Sequence, residues 1–460
     1  VCKKIIALKI ILVLQFMILT GCTVNMIHDE SYVSDSIQTR TGHELRLEEE
    51  KEGIFKIPDN VSLEDGLTEE EAVAIALWNN AQFQADLVDL GFARADLIEA
   101  GLLKNPVLSF LFPLGPKQLE ATLSLPIDFF WKRPKRVAAA KLDAEQVAGN
   151  LIQHGLDFIR DVLLAYAELV SSQERAKITE EESDLRSEIA IIASDRLKFG
   201  DISGLEESAF HLEAARALEA LVYITRDAEL AKERLRTLLG LGTEDIELKI
   251  TPTLSSTEFN QQSSDLLAKA FAARPDLRAA EIAIEAAGYR LGWEQSKIFN
   301  ITAVLDANGE GKEGFEMGPG LLMELPILNQ NNGMISRAQA ELTKAARQYL
   351  AVKHRIVQEV HEALNQYQSA QRALKILHTD ILPGATMAAD NATLAYSVGE
   401  MSYLELLYFR QQLLDSRLRK VEAEADVRRT ETILKHSIGF DSLNKDPSYV
   451  DISVTSRERS

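Results

Sequence analysis

Apolar residues recur at three- and four-residue spacings through most of the chain, interrupted by turn-forming clusters and by two pairs of short, strand-like stretches. The stretch EEEAVAIALWNNAQFQADLVDLGFARADLIEAGLL (69–103) is rich in alanine and carries this period, which predicts one amphipathic helix. From Pro134 to Phe199 no further proline breaks a similar pattern, and the spacing predicts one continuous helix of 66 residues. At 1.5 Å per residue that is about 100 Å, the scale of a coiled coil and far beyond a globular helix. FGDIS (199–203) ends it. Ser203 then offers an N-cap for a return helix, with Glu206 completing a capping box, and that helix is predicted to reach Leu239 before GLG. Between the first two helical stretches, Val107–Phe112 and Leu119–Leu125 read as strands around a Gly-Pro turn.

The same order of features then repeats. Phe83 corresponds to Leu277 and Ala93 to Ala287, an offset of 194; LSLPIDFF (123–130) corresponds to MELPILNQ (323–330), an offset of 200. RLKFGDISGLEE (196–207) corresponds to AYSVGEMSYLEL (395–406), an offset of 199. This is too long for a solenoid repeat and describes two copies of one large supersecondary unit. The expected organisation is a first repeat over 66–239 with a hairpin at about 106–126, and a second over 265–439 with a hairpin at about 300–326. A linker with the alternating segment IELKI spans 240–264, and a tail follows over 440–460. Pro383-Gly384 predicts a bend or local break in the second long helix. In the hairpins Thr122 and Ser124 share one face, as do Thr302 and Asp306, although both faces carry apolar residues. Four strands cannot close a barrel, whereas three chains together would supply twelve. A soluble sheet capping a helical domain is the alternative.

Composition narrows the setting. The chain has 460 residues, 46% of them hydrophobic, and a formal net charge of -20. Such a surface argues against sequence-independent nucleic-acid binding, which depends on neutralising phosphates. Lys3, Lys4 and Lys9 precede the apolar run ILVLQFMILTGC (11–22), which is too short to span a bilayer comfortably and is built like an export signal. Its end, Leu19-Thr20-Gly21-Cys22, resembles a bacterial lipoprotein cleavage box. That resemblance implies removal of residues 1–21, acylation of Cys22, and an extended tether over 22–65; Thr23 after the cysteine fits outer-membrane retention. Cys22 would be the sole remaining cysteine, which excludes an internal disulfide or a cysteine-rich metal cluster.

No pattern points to catalysis, and no cofactor or metal site is expected. His354 and His361 are seven apart on a predicted helix, a spacing better explained by packing or solvation than by a metal. Acidic pairs such as Glu206-Glu207 read as a polar helix face. Lipidation and long helices alone also fit a lipid-anchored coiled-coil envelope scaffold without a pore.

LTEEEAVAIALWNNAQFQAD (67–86), RPDLRAAEIAIEAAGYRLG (274–292), GPGLLMELPILNQNNGMISRAQAEL (318–342) and LPGATMAADNATLAYSVGEMSYLELL (382–407) together resemble the TolC-like outer membrane efflux family, particularly its lipoprotein members. The resemblance implies a mostly α fold with a small β part. In it, a homotrimer forms a 12-stranded transmembrane β-barrel, four strands per chain, continued by a 12-helix periplasmic α-barrel. It further implies a passive exit duct fed by a periplasmic adaptor (membrane fusion) protein and an inner-membrane pump, the RND type among them, with outer membrane lipid around the barrel. LNQNNG (328–333) looks most like the branch serving heavy-metal or organic-solute pumps, so metal ions or drugs are the candidate cargo. The resemblance places Gly200, Asp201, Gly399 and Glu400 at the helix-turn tips that meet the adaptor. It places Glu405 at the pore constriction, the alternative being an ordinary solvated helix carboxylate, and Tyr408 where members carry a second acid. Met401 stands where some members have an arginine and cannot make an ionic lock.

Overall fold

A computed structural model describes residues 26–440 except 47–54, 59–60, 63–65, 113, 115–118, 243–245, 247, 252–261 and 310–313. Its elements follow the order α1 (Glu30–Thr41), α2 (Glu69–Asn79), α3 (Ala81–Leu87), α4 (Asp89–Gly101), β1 (Val107–Leu111), β2 (Leu119–Pro126), α5 (Phe129–Lys198), α6 (Gly204–Leu238). Then come α7 (Ser263–Ala273), α8 (Pro275–Ser296), β3 (Ile301–Gly309), β4 (Phe315–Met323), α9 (Asn332–Ile376), a π-helical turn (Leu377–Ile381), α10 (Leu382–Ser397) and α11 (Tyr403–Ser437). The fold is mostly helical with one four-stranded sheet.

The long helix α5 is continuous over 70 residues and starts ahead of Pro134. The proline falls in its second turn, where the missing N–H removes one bond close to an end that is weakly bonded in any case. The single helix predicted over 69–103 is instead three, and the chain breaks first at Asn80. There Asn79 turns its side-chain amide onto the Ile75 carbonyl at 2.8 Å, while Asn80 Oδ1 accepts the Phe83 N–H at 3.0 Å. Asparagine side chains that bond nearby backbone compete with the helix ladder. In the second repeat the break falls at Arg274, before Pro275, a residue pair that disfavours helix.

One further expectation is corrected. Residues 30–41, expected within an extended tether, form α1. Val33 and Ile37, one turn apart, are fully buried, and a Cβ added at Gly155 would lie 2.6 Å from Ile37 Cδ1. Apolar burial on one face stabilises this helix despite its polar composition. Near Pro383 the α pattern is interrupted as expected: it stops at Ile376 and a π turn follows, with the Leu382 N–H bonded to the Leu377 carbonyl. The shift to wider bonding accommodates the proline at the start of α10.

Within the described residues the chain divides into two compact units, one drawn from 26–33, 85–152 and 275–354, the other from 34–84, 153–274 and 355–440. The first holds the sheet. Its helical core is dominated by small residues, with Ala139, Ala144, Ala148, Ala279 and Ala286 buried, and a Cβ at Gly149 would meet Ala279 Cβ at 3.2 Å. Small side chains permit this close approach of α5 to α8. Arg290 pairs with Asp143 across the same helices at 2.6 Å.

In the second unit Leu156, Ile159, Leu169, Leu235, Val360 and Leu434 form a larger aliphatic core. Part of the linker is tied into it. Leu67 pairs with Ile250 in an isolated parallel bridge, and the buried Tyr166 hydroxyl donates to the Leu67 and Thr251 carbonyls, each at 2.9 Å. Phe83 stacks on Phe158 with ring centroids 5.5 Å apart.

Candidate functional site

The sheet is an antiparallel meander in the order β1-β2-β3-β4, so the two hairpins, one from each repeat, are joined through β2 and β3. Register sorts its side chains. Leu108, Leu123, Leu305 and Pro319 lie opposite one another across the four strands, as do Phe110, Ala121, Ala307 and Met317. Leu125, Ala303 and Leu321 continue the same face. Every residue on it is apolar or glycine. The other face carries Ser109, Thr122, Asp306 and Gly318 in one row and Leu111, Glu120, Asn308 and Glu316 in another, with Ser124 and Thr302 among Val107, Val304 and Leu322 beyond them. Asp306 centres a small network there, accepting from Thr122 Oγ1 at 2.8 Å and Asn308 Nδ2 at 3.0 Å. The mixed alternation seen in each strand separately therefore becomes one apolar and one mainly polar surface. The apolar face is solvent-accessible in the single chain: Phe110 is 55% exposed and Leu321 73%. β1 and β4 are edge strands, each with one side unpaired within the sheet.

In the second unit, two turns share one hydrogen-bond plan. Gly200 has φ +80° and Gly399 φ +81°. Gly200 N–H donates to the Leu197 carbonyl at 3.0 Å, and Asp201 N–H to the Arg196 carbonyl at 2.9 Å. Gly399 donates to Tyr396 at 3.0 Å and Glu400 to Ala395 at 2.9 Å. Each is a Schellman end, in which a left-handed residue lets two N–H groups satisfy the last helix carbonyls. A capping box opens the return helix in both cases. Glu405 Oε2 accepts from the Ser402 N–H at 2.9 Å and from Ser402 Oγ at 2.8 Å; Glu206 does the same with Ser203 at 2.8 and 3.0 Å. The backbone and hydroxyl donors of these serines hold both carboxyls below the usual range. Tyr408 is exposed beside Phe409 and, with Leu185, Phe210 and Leu404, lines a cavity of about 320 Å³.

The family model for outer membrane efflux proteins matches residues 266–439. The cobalt-zinc-cadmium resistance protein CzcC of Cupriavidus metallidurans is 25% identical over 364 residues, covering 77% of this chain and 85% of that protein. The outer membrane efflux protein BepC of Brucella suis is 24% identical over 304 residues, 63% of this chain and 65% of BepC. The crystal structure of the outer membrane protein VceC of Vibrio cholerae superposes with a TM-score of 0.66 at 20% identity, over 81% of this chain and 96% of VceC. Residues 266–439 thus match the outer membrane efflux protein family, and the fold is that of solved outer membrane channels. The family match falls on the second repeat, and the likeness to CzcC covers 77% of the chain.

Among the residues singled out from sequence, the fold brings Gly399, Glu400 and Glu405 into one tip, and Gly200 and Asp201 into its counterpart. Cys22 lies outside the described residues. Sequence reading missed a half-buried polar cluster in the second unit, where His436 bonds Asp157, which also accepts from Gln153 at 3.1 Å. Burial works to raise the Asp157 carboxyl, but the bond and charge of His436 and the Gln153 bond outweigh it and lower it. Its members lie 279 residues apart, so no local pattern announces it. Among the described residues no group of three or more His, Cys, Asp or Glu side chains is placed to hold a metal ion.

Proposed function

We propose that this protein is the outer membrane exit duct of a tripartite efflux system. The observation that carries the reading is the sheet: one face wholly apolar, the other mainly polar, both edges open. An isolated sheet of this kind leaves apolar surface and backbone groups unsatisfied. Three copies joined edge to edge supply the missing partners in a closed barrel of twelve strands, with the apolar face toward lipid and the Thr122–Asp306 face toward a water-filled lumen. The paired long helices of the three copies continue it as a twelve-helix periplasmic tunnel. The two tips at Gly200-Asp201 and Gly399-Glu400 meet a periplasmic adaptor, and an inner-membrane pump of the RND type drives the cargo. An acylated Cys22 holds each copy to the inner leaflet. The likeness to a cobalt-zinc-cadmium resistance protein supports divalent metal ions over drugs as that cargo.

Glu405 lines the constriction in this reading. Its carboxylate is exposed and ionised, and threefold repetition would concentrate negative potential and favour cations. Conductance of the purified oligomer in planar bilayers tests both points. The duct predicts channels when the tips are opened, and E405Q lowers their cation preference. Glutamine still serves a capping box, so this variant removes charge and keeps the turn. An oligomer that never conducts and lacks membrane-inserted strands is the scaffold instead; an unchanged reversal potential in E405Q removes Glu405 from the constriction.

A further inference from the structure

The densest positive run of the chain, Lys132-Arg133-Pro134-Lys135-Arg136, follows directly on Phe129-Phe130-Trp131. It opens α5 at the foot of the sheet, where β2 ends at Pro126 and β3 begins at Ile301. There Lys104, Lys132, Arg133, Arg136 and Lys297, with the single carboxylate Asp128, line a cavity of about 250 Å³ beside Trp293. Two of these groups are fixed from behind. Arg133 Nε donates to the Gly101 carbonyl at 2.7 Å; Arg136 donates through Nε to Ala100 at 2.8 Å and through Nη2 to Leu102 at 2.5 Å. These bonds cap the C-terminus of α4 and orient the guanidinium planes, and they leave Arg133 both terminal nitrogens. Lys297 sits over the Trp293 ring, 3.5 Å from its centroid, and pairs with Glu294 at 2.6 Å. Lys132 bonds Asp128 and Asn300.

Capping of α4 accounts for the rear contacts of the two arginines. It does not account for Lys104 and Lys297 on the same cavity, nor for a concentration of cations in a chain of net charge -20. Nor does it explain the aromatic rings at this level, where Phe130 is 69% exposed and Phe299 54%. The apolar sheet face ends here as well, at Leu125, Ile301 and Met323. Aromatic rings beside an apolar band, followed by cations, match the order of acyl chain, interface and phosphate met on leaving a bilayer. Guanidinium forks also suit phosphate oxygens.

We propose that this cavity binds the phosphate of an anionic phospholipid in the leaflet on the helical side of the barrel, a reading that rests on the sheet's apolar face lying in the bilayer. The exposed rings and the adjoining apolar face favour a lipid headgroup over free phosphate.

The test is native mass spectrometry of the full-chain oligomer, released from detergent holding equal phosphatidylglycerol and phosphatidylcholine. Retained phosphatidylglycerol should exceed phosphatidylcholine, and Arg133→Gln with Arg136→Gln should lower it by about fivefold or more. Because that pair also uncaps α4, Lys104→Gln with Lys297→Gln, which leaves the cap intact, should lower it in the same direction. Equal retention of the two lipids by the wild type, or undiminished phosphatidylglycerol in both double variants, overturns the proposal. Displacement of the lipid by inorganic phosphate at equal concentration overturns the lipid assignment. An oligomer that conducts in planar bilayers without lipid preference refutes this site alone, and one with the preference but no conductance refutes the duct alone.

Discussion

At Gly399 the backbone sits at φ +81°, a conformation that an L side chain adopts at a cost of about 1–2 kcal/mol. Open space surrounds the position, so Gly399→Ala meets no steric neighbour and isolates that backbone cost. Its expected effect is a loss of about 1 kcal/mol of local stability, read as faster deuterium exchange over the Tyr396–Leu406 turn. Unchanged exchange there would mean that the Schellman end does not hold the tip. The neighbouring caps also make the tips acid-sensitive. Folded Glu405 and Glu206 titrate below the usual carboxylate value because Ser402 and Ser203 donate to the ionised form. A depressed folded value stabilises the fold fully above the unfolded carboxylate pKa, about 4.3, and that contribution is lost as pH falls through the folded one. Exchange in the first turns of α6 and α11 should therefore accelerate below about pH 4, and Ser402→Ala should bring α11 to that state at neutral pH.

For whole elements, the two faces of the sheet predict opposite tolerance. Leu305 stands in the apolar face and Thr122 in the polar one, on neighbouring strands. Leu305→Arg should block or weaken insertion into vesicles, by about 2–4 kcal/mol if the residue lies near the bilayer midplane, whereas Thr122→Lys should insert normally. Equal effects from the two would deny the assignment of faces. This division shows what was and was not legible beforehand. The four strands could be read from local alternation, and the long helix from an uninterrupted apolar period. The pairing of Thr122 with Asp306 depends on register between segments 184 residues apart, which no local pattern contains. Ser203 was legible as a cap because a capping box spans only four positions, and the same box recurs at Ser402 and Glu405. The Asn80 break was missed because helix propensity is summed over a window, and the competing asparagine bonds are specific to two side chains. Helix α1 was missed for a tertiary reason: Ile37 is buried beside Gly155, far along the chain.

The whole molecule holds a contradiction that a single chain cannot resolve. A four-stranded sheet exposes Phe110, Met317 and Leu321 on one face and leaves β1 and β4 with open edges. In the proposed duct, closure with two further copies would remove both problems, by pairing β1 of each chain with β4 of the next. The most direct measurement is oxidative cross-linking of full-chain protein with one cysteine in β1 and one in β4, over a panel of positions to cover the register between copies. Within one chain these strands are three spacings apart, roughly 14 Å, beyond the reach of a disulfide. Closure in a ring of three predicts a ladder of covalent dimers and trimers that stops at three, with either cysteine alone giving no ladder beyond dimers. Monomers at every position, or a ladder that continues past three, would contradict a closed barrel of twelve strands.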